Sequence, residues 1–156
     1  ELLNKLLGWP REHAFPGLDV LRLLLCNKLA ATAVTRMPDL AGHQNVVELA
    51  LALGSGAPGS VPVANRIMCL RVLCNAFRHA PASSVVAPRY AEVMALMKDS
   101  MSFDNPHIRV AYATLLYNYA VNLHLRTKPD PETKAACGSA IVEALAAPVD
   151  AECQYR

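Results

Sequence analysis

The sequence predicts an all-α protein, and three features of the 156-residue chain favour this class. Alanine and leucine dominate and aromatic residues make up only 6%, a composition that favours helix packing over strands. Prolines recur at the ends of apolar segments, where they terminate helices or occupy a first turn. Taken in pairs, the helical segments recur about every forty residues, which is the spacing of armadillo and HEAT arrays. We therefore expect an armadillo-like superhelix, with a compact helical bundle as the alternative.

The predicted helices share apolar periodicity and boundaries marked by Pro, Gly, Ser or Asn. Their ranges are 1–7, 18–26, 28–35, 45–53, 63–79, 83–98, 105–126 and 132–147, with a last helix from residue 150. The loop 54–60 is rich in Gly and Ser but too short to separate two domains. We expect one domain over residues 1–156, with residues 1–17 as an extension anchored on the array by Trp9 and Phe15.

Composition and charge exclude several classes of protein. Hydrophobic residues make up 53% and charged residues 18%, which excludes a disordered chain. A net charge of +2 gives no argument for nucleic-acid binding. No apolar stretch reaches the length of a membrane span, and no signal peptide begins the sequence. The five cysteines form no CxxC pair, which favours a reducing compartment: the cytoplasm, with the nucleus as an open alternative.

Polar residues form a stripe on the predicted helix 63–79. Arg71, Asn75 and Arg78 lie at positions i, i+4 and i+7, so they share one face, with Arg66 on its flank. An Arg presents a planar fork of donors that suits a carboxylate, and an Asn pairs with an extended peptide backbone. The alternative is a solvated face for the Arg residues and an inter-helix hydrogen bond for the Asn.

The predicted helix 105–126 carries a second polar stripe. Asn118 and Asn122 are one turn apart, and Arg109 lies near the start of the helix. Stripes of this kind line the concave groove of a helical solenoid. The pair of stripes makes a groove for an extended peptide one interpretation, beside the alternative of ordinary inter-helix contacts.

Signatures of catalysis and of cofactor binding are missing from the sequence. It contains no HExxH, P-loop, GxGxxG or GxSxG motif, and its five histidines are scattered. We therefore expect no metal and no cofactor, and a monomeric, non-catalytic module. The enzyme alternative is a nucleophilic Cys74 activated by His79, against which stand a buried thiol and an exposed imidazole.

Several segments together resemble the PUL domain, a C-terminal module of ubiquitin-pathway adaptor proteins. The most specific are residues 15–23 (FPGLDVLRL) and 70–77 (LRVLCNAF). The other similar segments are residues 9–10 (WP), 65–66 (NR), 107–111 (HIRVA), 114–115 (TL), 117–121 (YNYAV) and 151–156 (AECQYR). The resemblance covers most of the chain and implies an armadillo-like array whose last repeats lie beyond Arg156, so that the array is truncated here.

The resemblance also implies a partner. PUL domains bind the acidic C-terminal tail of the AAA+ ATPase valosin-containing protein in a basic groove. Arg71 and Arg156 match the family's arginines and are the strongest candidates to hold that tail, with Asn75 and Asn118 in support. The family's module also occurs beside thioredoxin-like or cysteine-peptidase domains, so a scaffold of such a protein with a different partner is the alternative function.

Overall fold

A computed structural model describes residues 1–57, 59–125 and 130–146 of the chain. Its α-helices are α1 (Leu2–Leu7), α2 (Phe15–Leu24), α3 (Lys28–Thr35), α4 (Val46–Gly54), α5 (Val63–Ala76), α6 (Ala80–Val86), α7 (Tyr90–Met97), α8 (Pro106–Leu125) and α9 (Pro131–Ala146). Within the described ranges the chain forms no strand beyond an isolated bridge between Leu40 and His43. The predicted all-α class is confirmed.

Three long helices stack side by side in the order α2, α5, α8, and α9 continues the stack beyond α8. Shorter helices cover the side of this stack: α4 packs on α5, and α3 and α4 both contact α6. From α1 to α8 the chain therefore repeats one unit, in which a longer helix follows one or two shorter ones, as in a helical-repeat array. This arrangement confirms the expectation of a helical repeat domain.

The centre of the core is α5, because neighbours surround it on several sides. Cys69, Leu70, Val72 and Leu73 of α5 have no solvent exposure at all. Each such leucine stabilises the fold by about 1.5–3 kcal/mol relative to an exposed one. Since apolar residues occupy most of its circumference, α5 is a buried helix rather than a surface helix with one apolar stripe.

Asparagine side chains cap the N-termini of three helices. The Oδ1 atoms of Asn27 and Asn45 accept hydrogen bonds from the second and third backbone N–H groups of α3 and α4. Asn105 accepts from His107 N and Ile108 N at the start of α8 in the same way. Caps of this kind each stabilise a helix by about 1 kcal/mol, and they confirm the predicted starts near residues 28, 45 and 105.

The prediction of a single helix over residues 83–98 is wrong. The chain forms α6 and α7 instead, separated by a 3-10 turn at Ala87–Arg89. Pro88 lies in this turn, and a proline lacks the N–H and clashes with the preceding turn of an α-helix, so the helix is interrupted there. Pro81 lies within the first turn of α6, and α5 ends earlier than predicted, at Ala76. The predicted last helix from residue 150 lies outside the described residues.

The segment before α2 is fixed by hydrogen bonds to the body of the array. Arg11 Nη2 donates to Ser55 O at 2.8 Å and Nε donates to Leu53 O at 3.4 Å. Asn65 Nδ2 of α5 donates to Arg11 O at 2.6 Å. The expected anchoring by aromatic rings is therefore wrong, since Trp9 is 46% exposed and an arginine fixes the segment. The division into one domain with an extension at residues 1–17 stays a prediction.

Close packing between α1 and α2 predicts opposite effects for two glycine-to-alanine changes. A Cβ atom at Gly17 of α2 would lie 2.9 Å from the backbone carbonyl of Leu6, whereas a Cβ atom at Gly138 of α9 meets nothing within 4 Å. Overpacking costs about 1–3 kcal/mol, and alanine gains about 0.5–1 kcal/mol in a helix. We expect Gly17→Ala to lower the free energy of unfolding by about 1–2 kcal/mol and Gly138→Ala to raise it by about 0.5–1 kcal/mol.

Urea unfolding followed by far-UV circular dichroism measures both changes. A stabilising Gly17→Ala would contradict the contact between α1 and α2.

Candidate functional site

A pocket of about 300 Å³ opens between the stacked helices α2, α5 and α8. Its size suits the terminal one or two residues of a peptide rather than a large cofactor. The lining residues come from all three helices and are Arg22, Arg71, Cys74, Asn75, His107, Val110, Ala111 and Thr114. The pocket therefore depends on the stacking of three repeats and on no single helix.

Positive and neutral polar groups line this pocket. Arg71 is half-buried on α5, and its guanidinium forms no hydrogen bond or ion pair with any residue that the structure describes. Arg22 on the opposite wall is held by Asp19, with 2.6 Å between Nε and Oδ1. None of the described lining residues is acidic. An anionic group that enters the pocket meets unused donors on Arg71 and no opposing carboxylate on the wall.

The two asparagines of the predicted stripes bridge neighbouring helices. Asn75 Nδ2 of α5 donates to Arg22 O of α2 at 2.8 Å and contacts Cys26 Sγ at 3.2 Å. Asn118 Nδ2 of α8 donates to Cys74 O of α5 at 3.2 Å. Of the two interpretations, the inter-helix hydrogen bond describes both amides. Asn75 still lines the pocket, whereas Asn118 is not among the lining residues.

Arg66 lies on the opposite side of α5 and does not reach the pocket. It has no solvent exposure: Nη2 donates to Gly56 O, Nη1 donates to Ser100 Oγ at 3.3 Å, and the guanidinium lies 4.2 Å from the ring centroid of Phe103. Burial lowers the pKa of this guanidinium below its usual range. Its contacts tie the loop after α4 to the connector before α8, so we leave Arg66 out of the candidate site.

The remaining predicted arginines lie at three different places. Arg109 Nη1 donates to Phe103 O at 2.8 Å and lies 3.9 Å from Asp104, so it orders the turn before α8. Arg78 is exposed just beyond the end of α5 and does not line the pocket. Arg156 lies outside the described residues. From the predicted set, the structure thus brings Arg71 and Asn75 together, and the role of each in binding stays a prediction.

Arg22 and His107 are pocket residues that the sequence interpretation missed. Arg22 lies in an almost wholly apolar run, and a single charge there is typical of a solvated flank. His107 is exposed in the first turn of α8. Both residues reach the pocket only because their helices stack on either side of α5, and no spacing along the chain reports that stacking.

The Cys74–His79 pair has no support as a catalytic couple. Cys74 Sγ donates to Ala111 O at 3.4 Å, and His79 Nε2 hydrogen-bonds Cys26 O at 3.0 Å. Burial raises the pKa of the Cys74 thiol to about 12, which keeps it in the unreactive protonated form. Over residues 1–57, 59–125 and 130–146, no three His, Cys, Asp or Glu side chains cluster as metal ligands would. None of the helices in these ranges is long and apolar enough to cross a membrane.

The fold and the pocket define a class of protein: a helical-repeat module with a basic pocket on its stacked helices. The sequence profile of the PUL domain matches residues 1–156, so the chain belongs to the PUL domain family. It is 30% identical over 156 residues to the phospholipase A-2-activating protein of Xenopus laevis. The match covers 100% of this chain and 18% of that protein. Membership of this family supports a protein-interaction module in the ubiquitin pathway.

The raised pKa of Cys74 predicts slow alkylation in the folded protein. A pKa of about 12 in place of 9.0 lowers the thiolate fraction at pH 8 about 1000-fold, because the protonated form is favoured. We expect iodoacetamide to modify Cys74 at least about 100-fold more slowly in the folded chain than in urea. Peptide mass spectrometry after timed quenching measures this ratio. Similar rates in both states would revive the nucleophile hypothesis.

The bridge from Asn75 predicts a loss of stability on truncation. Asn75→Ala removes the stronger donor of Arg22 O and leaves it only the weak Cys26 thiol at 3.5 Å, so we expect a decrease of about 1–2 kcal/mol in the free energy of unfolding. Thr114→Ala is the matched control, since the Thr114 hydroxyl only donates to Val110 O of its own helix at 2.8 Å. Its effect should stay within about 0.5 kcal/mol. Equal effects in urea unfolding would argue against the bridge.

Proposed function

We propose that this chain is a non-catalytic interaction module that holds the acidic C-terminal tail of the AAA+ ATPase valosin-containing protein in the pocket around Arg71. The observation that carries the proposal is the Arg71 guanidinium, which has no hydrogen-bond or ion-pair partner among the described residues. It lines a pocket whose described lining contains no acidic residue. The family resemblance supplies the ligand, because PUL domains bind that tail in a basic groove. Arg71 is the residue that matches the family's arginine in the segment LRVLCN.

A chain-terminal carboxylate is the group that fits this pocket best. The two oxygens of a carboxylate accept parallel hydrogen bonds from one guanidinium, and each charge-assisted hydrogen bond contributes about 1.5–3 kcal/mol. Arg22 on the facing wall adds positive potential, although Asp19 neutralises part of it. The Thr114 hydroxyl and the His107 ring provide further polar groups at the α8 side of the pocket. Recognition is therefore centred on one arginine.

The face of α8 beyond the pocket provides a path for the residues that precede the terminus. Tyr117, Val121 and Leu125 are 57%, 39% and 76% exposed and follow each other at one-turn spacing. An extended tail that leaves the pocket along α8 covers these side chains. Arg156 remains a second proposed contact on the strength of the family resemblance alone.

Replacing Arg71 should weaken tail binding without unfolding the module. Arg71→Ala removes the bidentate donor, and we expect at least a tenfold increase in Kd for a fluorescent peptide of the ATPase C terminus. Arg71→Lys keeps the charge but not the planar fork, so it should fall between wild type and alanine. Arg36→Ala is the charge-matched control, because Arg36 is exposed at the end of α3, away from the pocket.

Two further measurements test whether the pocket recognises the terminal carboxylate of the peptide. A peptide with an amidated C terminus lacks the terminal charge and should bind Arg71→Ala and wild type almost equally. A higher salt concentration should weaken the binding of the unmodified peptide, because partly exposed charges are screened. Unchanged affinity for Arg71→Ala, with the circular dichroism spectrum unchanged, would overturn the role of Arg71.

A further inference from the structure

A second surface lies before α2, where two aromatic–proline pairs flank a 3-10 turn. Trp9 and Phe15 are 46% and 41% exposed, although most other aromatic rings of the described chain are buried or half-buried. They line a cleft of about 530 Å³ together with Pro10, Glu12, His13 and Pro16. Exposed large apolar groups that form one contiguous concave surface are typical of binding sites.

This aromatic cleft is rigid rather than part of a loose terminus. Arg11, between the two aromatic residues, donates to Leu53 O and Ser55 O, and Asn65 Nδ2 donates to Arg11 O. Ala14, directly before Phe15, is fully buried. The backbone that carries both rings is thus held in place on either side of the 3-10 turn. A preorganised surface loses little conformational entropy when it binds a ligand.

Two unused polar groups indicate the chemistry of the occupant. The Trp9 indole N–H has no acceptor among the residues that the structure describes, and Glu12 is exposed and forms no ion pair with any of them. An indole N–H is a hydrogen-bond donor, and a carbonyl oxygen of a peptide ligand can accept from it. In a helical ligand the carbonyls are already bonded, whereas in a polyproline II helix all of them remain open. Glu12 is the only acidic residue of the described lining and favours a cation.

We propose that the cleft formed by Trp9, Glu12 and Phe15 binds a proline-rich segment of a partner protein that adopts a polyproline II helix and carries a basic residue. Proline rings pack on the Trp9 and Phe15 rings, the indole N–H donates to a ligand carbonyl, and Glu12 pairs with the ligand's Arg or Lys. Aromatic grooves recognise polyproline segments in this way because such segments are already extended and ordered. This surface is independent of the Arg71 pocket.

The single tryptophan of the chain reports binding directly. The probe is a blocked peptide of about ten residues with one Arg beside Pro-Pro-Leu-Pro repeats. Its addition to the ¹⁵N-labelled chain should shift the indole N–H resonance of Trp9 in a saturable manner below about 1 mM. A peptide with Ala in place of every Pro should cause no shift, and a peptide with Glu in place of Arg should bind at least fivefold more weakly.

Substitutions in the protein test the contribution of each side chain to binding. Phe15→Ala should weaken the binding of the Arg-containing probe peptide, called the Arg peptide below, at least tenfold. Glu12→Lys should abolish the preference for Arg over Glu, and this exposed position tolerates the change without loss of fold. Arg71→Ala should leave the affinity for the Arg peptide unchanged, so that failure of one site is distinguishable from failure of the other.

Three outcomes would overturn the proposal. The first is no shift of the indole resonance up to about 1 mM peptide. The second is equal binding of the all-Ala peptide, which would make the cleft a general apolar surface. The third is an indole shift that depends on protein concentration without peptide, which would assign the cleft to a second copy of this chain.

Discussion

The packing of α5 between α2 and α8 is the constraint on which the other features of the structure depend. Leu70 and Leu73 of α5 have no solvent exposure, and α2 and α8 are among the helices that cover α5. Amide bridges set the register of the stack, since Asn75 donates to α2 and Asn118 of α8 donates to α5. The pocket around Arg71 exists only where these three helices meet, which makes its geometry a direct consequence of core packing.

The arginines of this chain differ in their hydrogen-bond partners. Arg11, Arg66 and Arg109 all donate to backbone carbonyls in loops or at helix ends, where no helical N–H is available to those oxygens. A guanidinium with several donors in one plane satisfies such carbonyls from a single side chain. Arg71 is as accessible as Arg11 and Arg109 but differs from them, because none of the described residues accepts its hydrogen bonds. The same residue type therefore braces the loops and provides the candidate anion site.

Most of the helices could be predicted from the sequence because their boundaries are local. Asn27, Asn45 and Asn105 cap helices through their own neighbours, so the signal lies within four residues. The signal for the break at Pro88 is equally local. The prediction missed it because the apolar pattern continues over residues 83–98. The candidate site was less predictable, since Arg66 and Arg71 lie on one helix and only the loop that covers Arg66 distinguishes them. Arg22 lines the pocket only because α2 stacks on α5, and Arg22 and Arg71 are about fifty residues apart in sequence.

The two proposed surfaces lie at opposite ends of α2, and the length of this helix sets the distance between them. Phe15 begins this helix and Arg22 lies seven residues later, about 10 Å further along its axis. Gly17 brings α2 against the backbone of Leu6, and Arg11 fixes the segment before it, so the first turn of α2 is held to the array. One continuous α-helix therefore connects the two proposed surfaces. In each proposed site the ligand is inferred from the partner that the side chains do not find among the described residues: an anion for Arg71, and a carbonyl and a cation for Trp9 and Glu12.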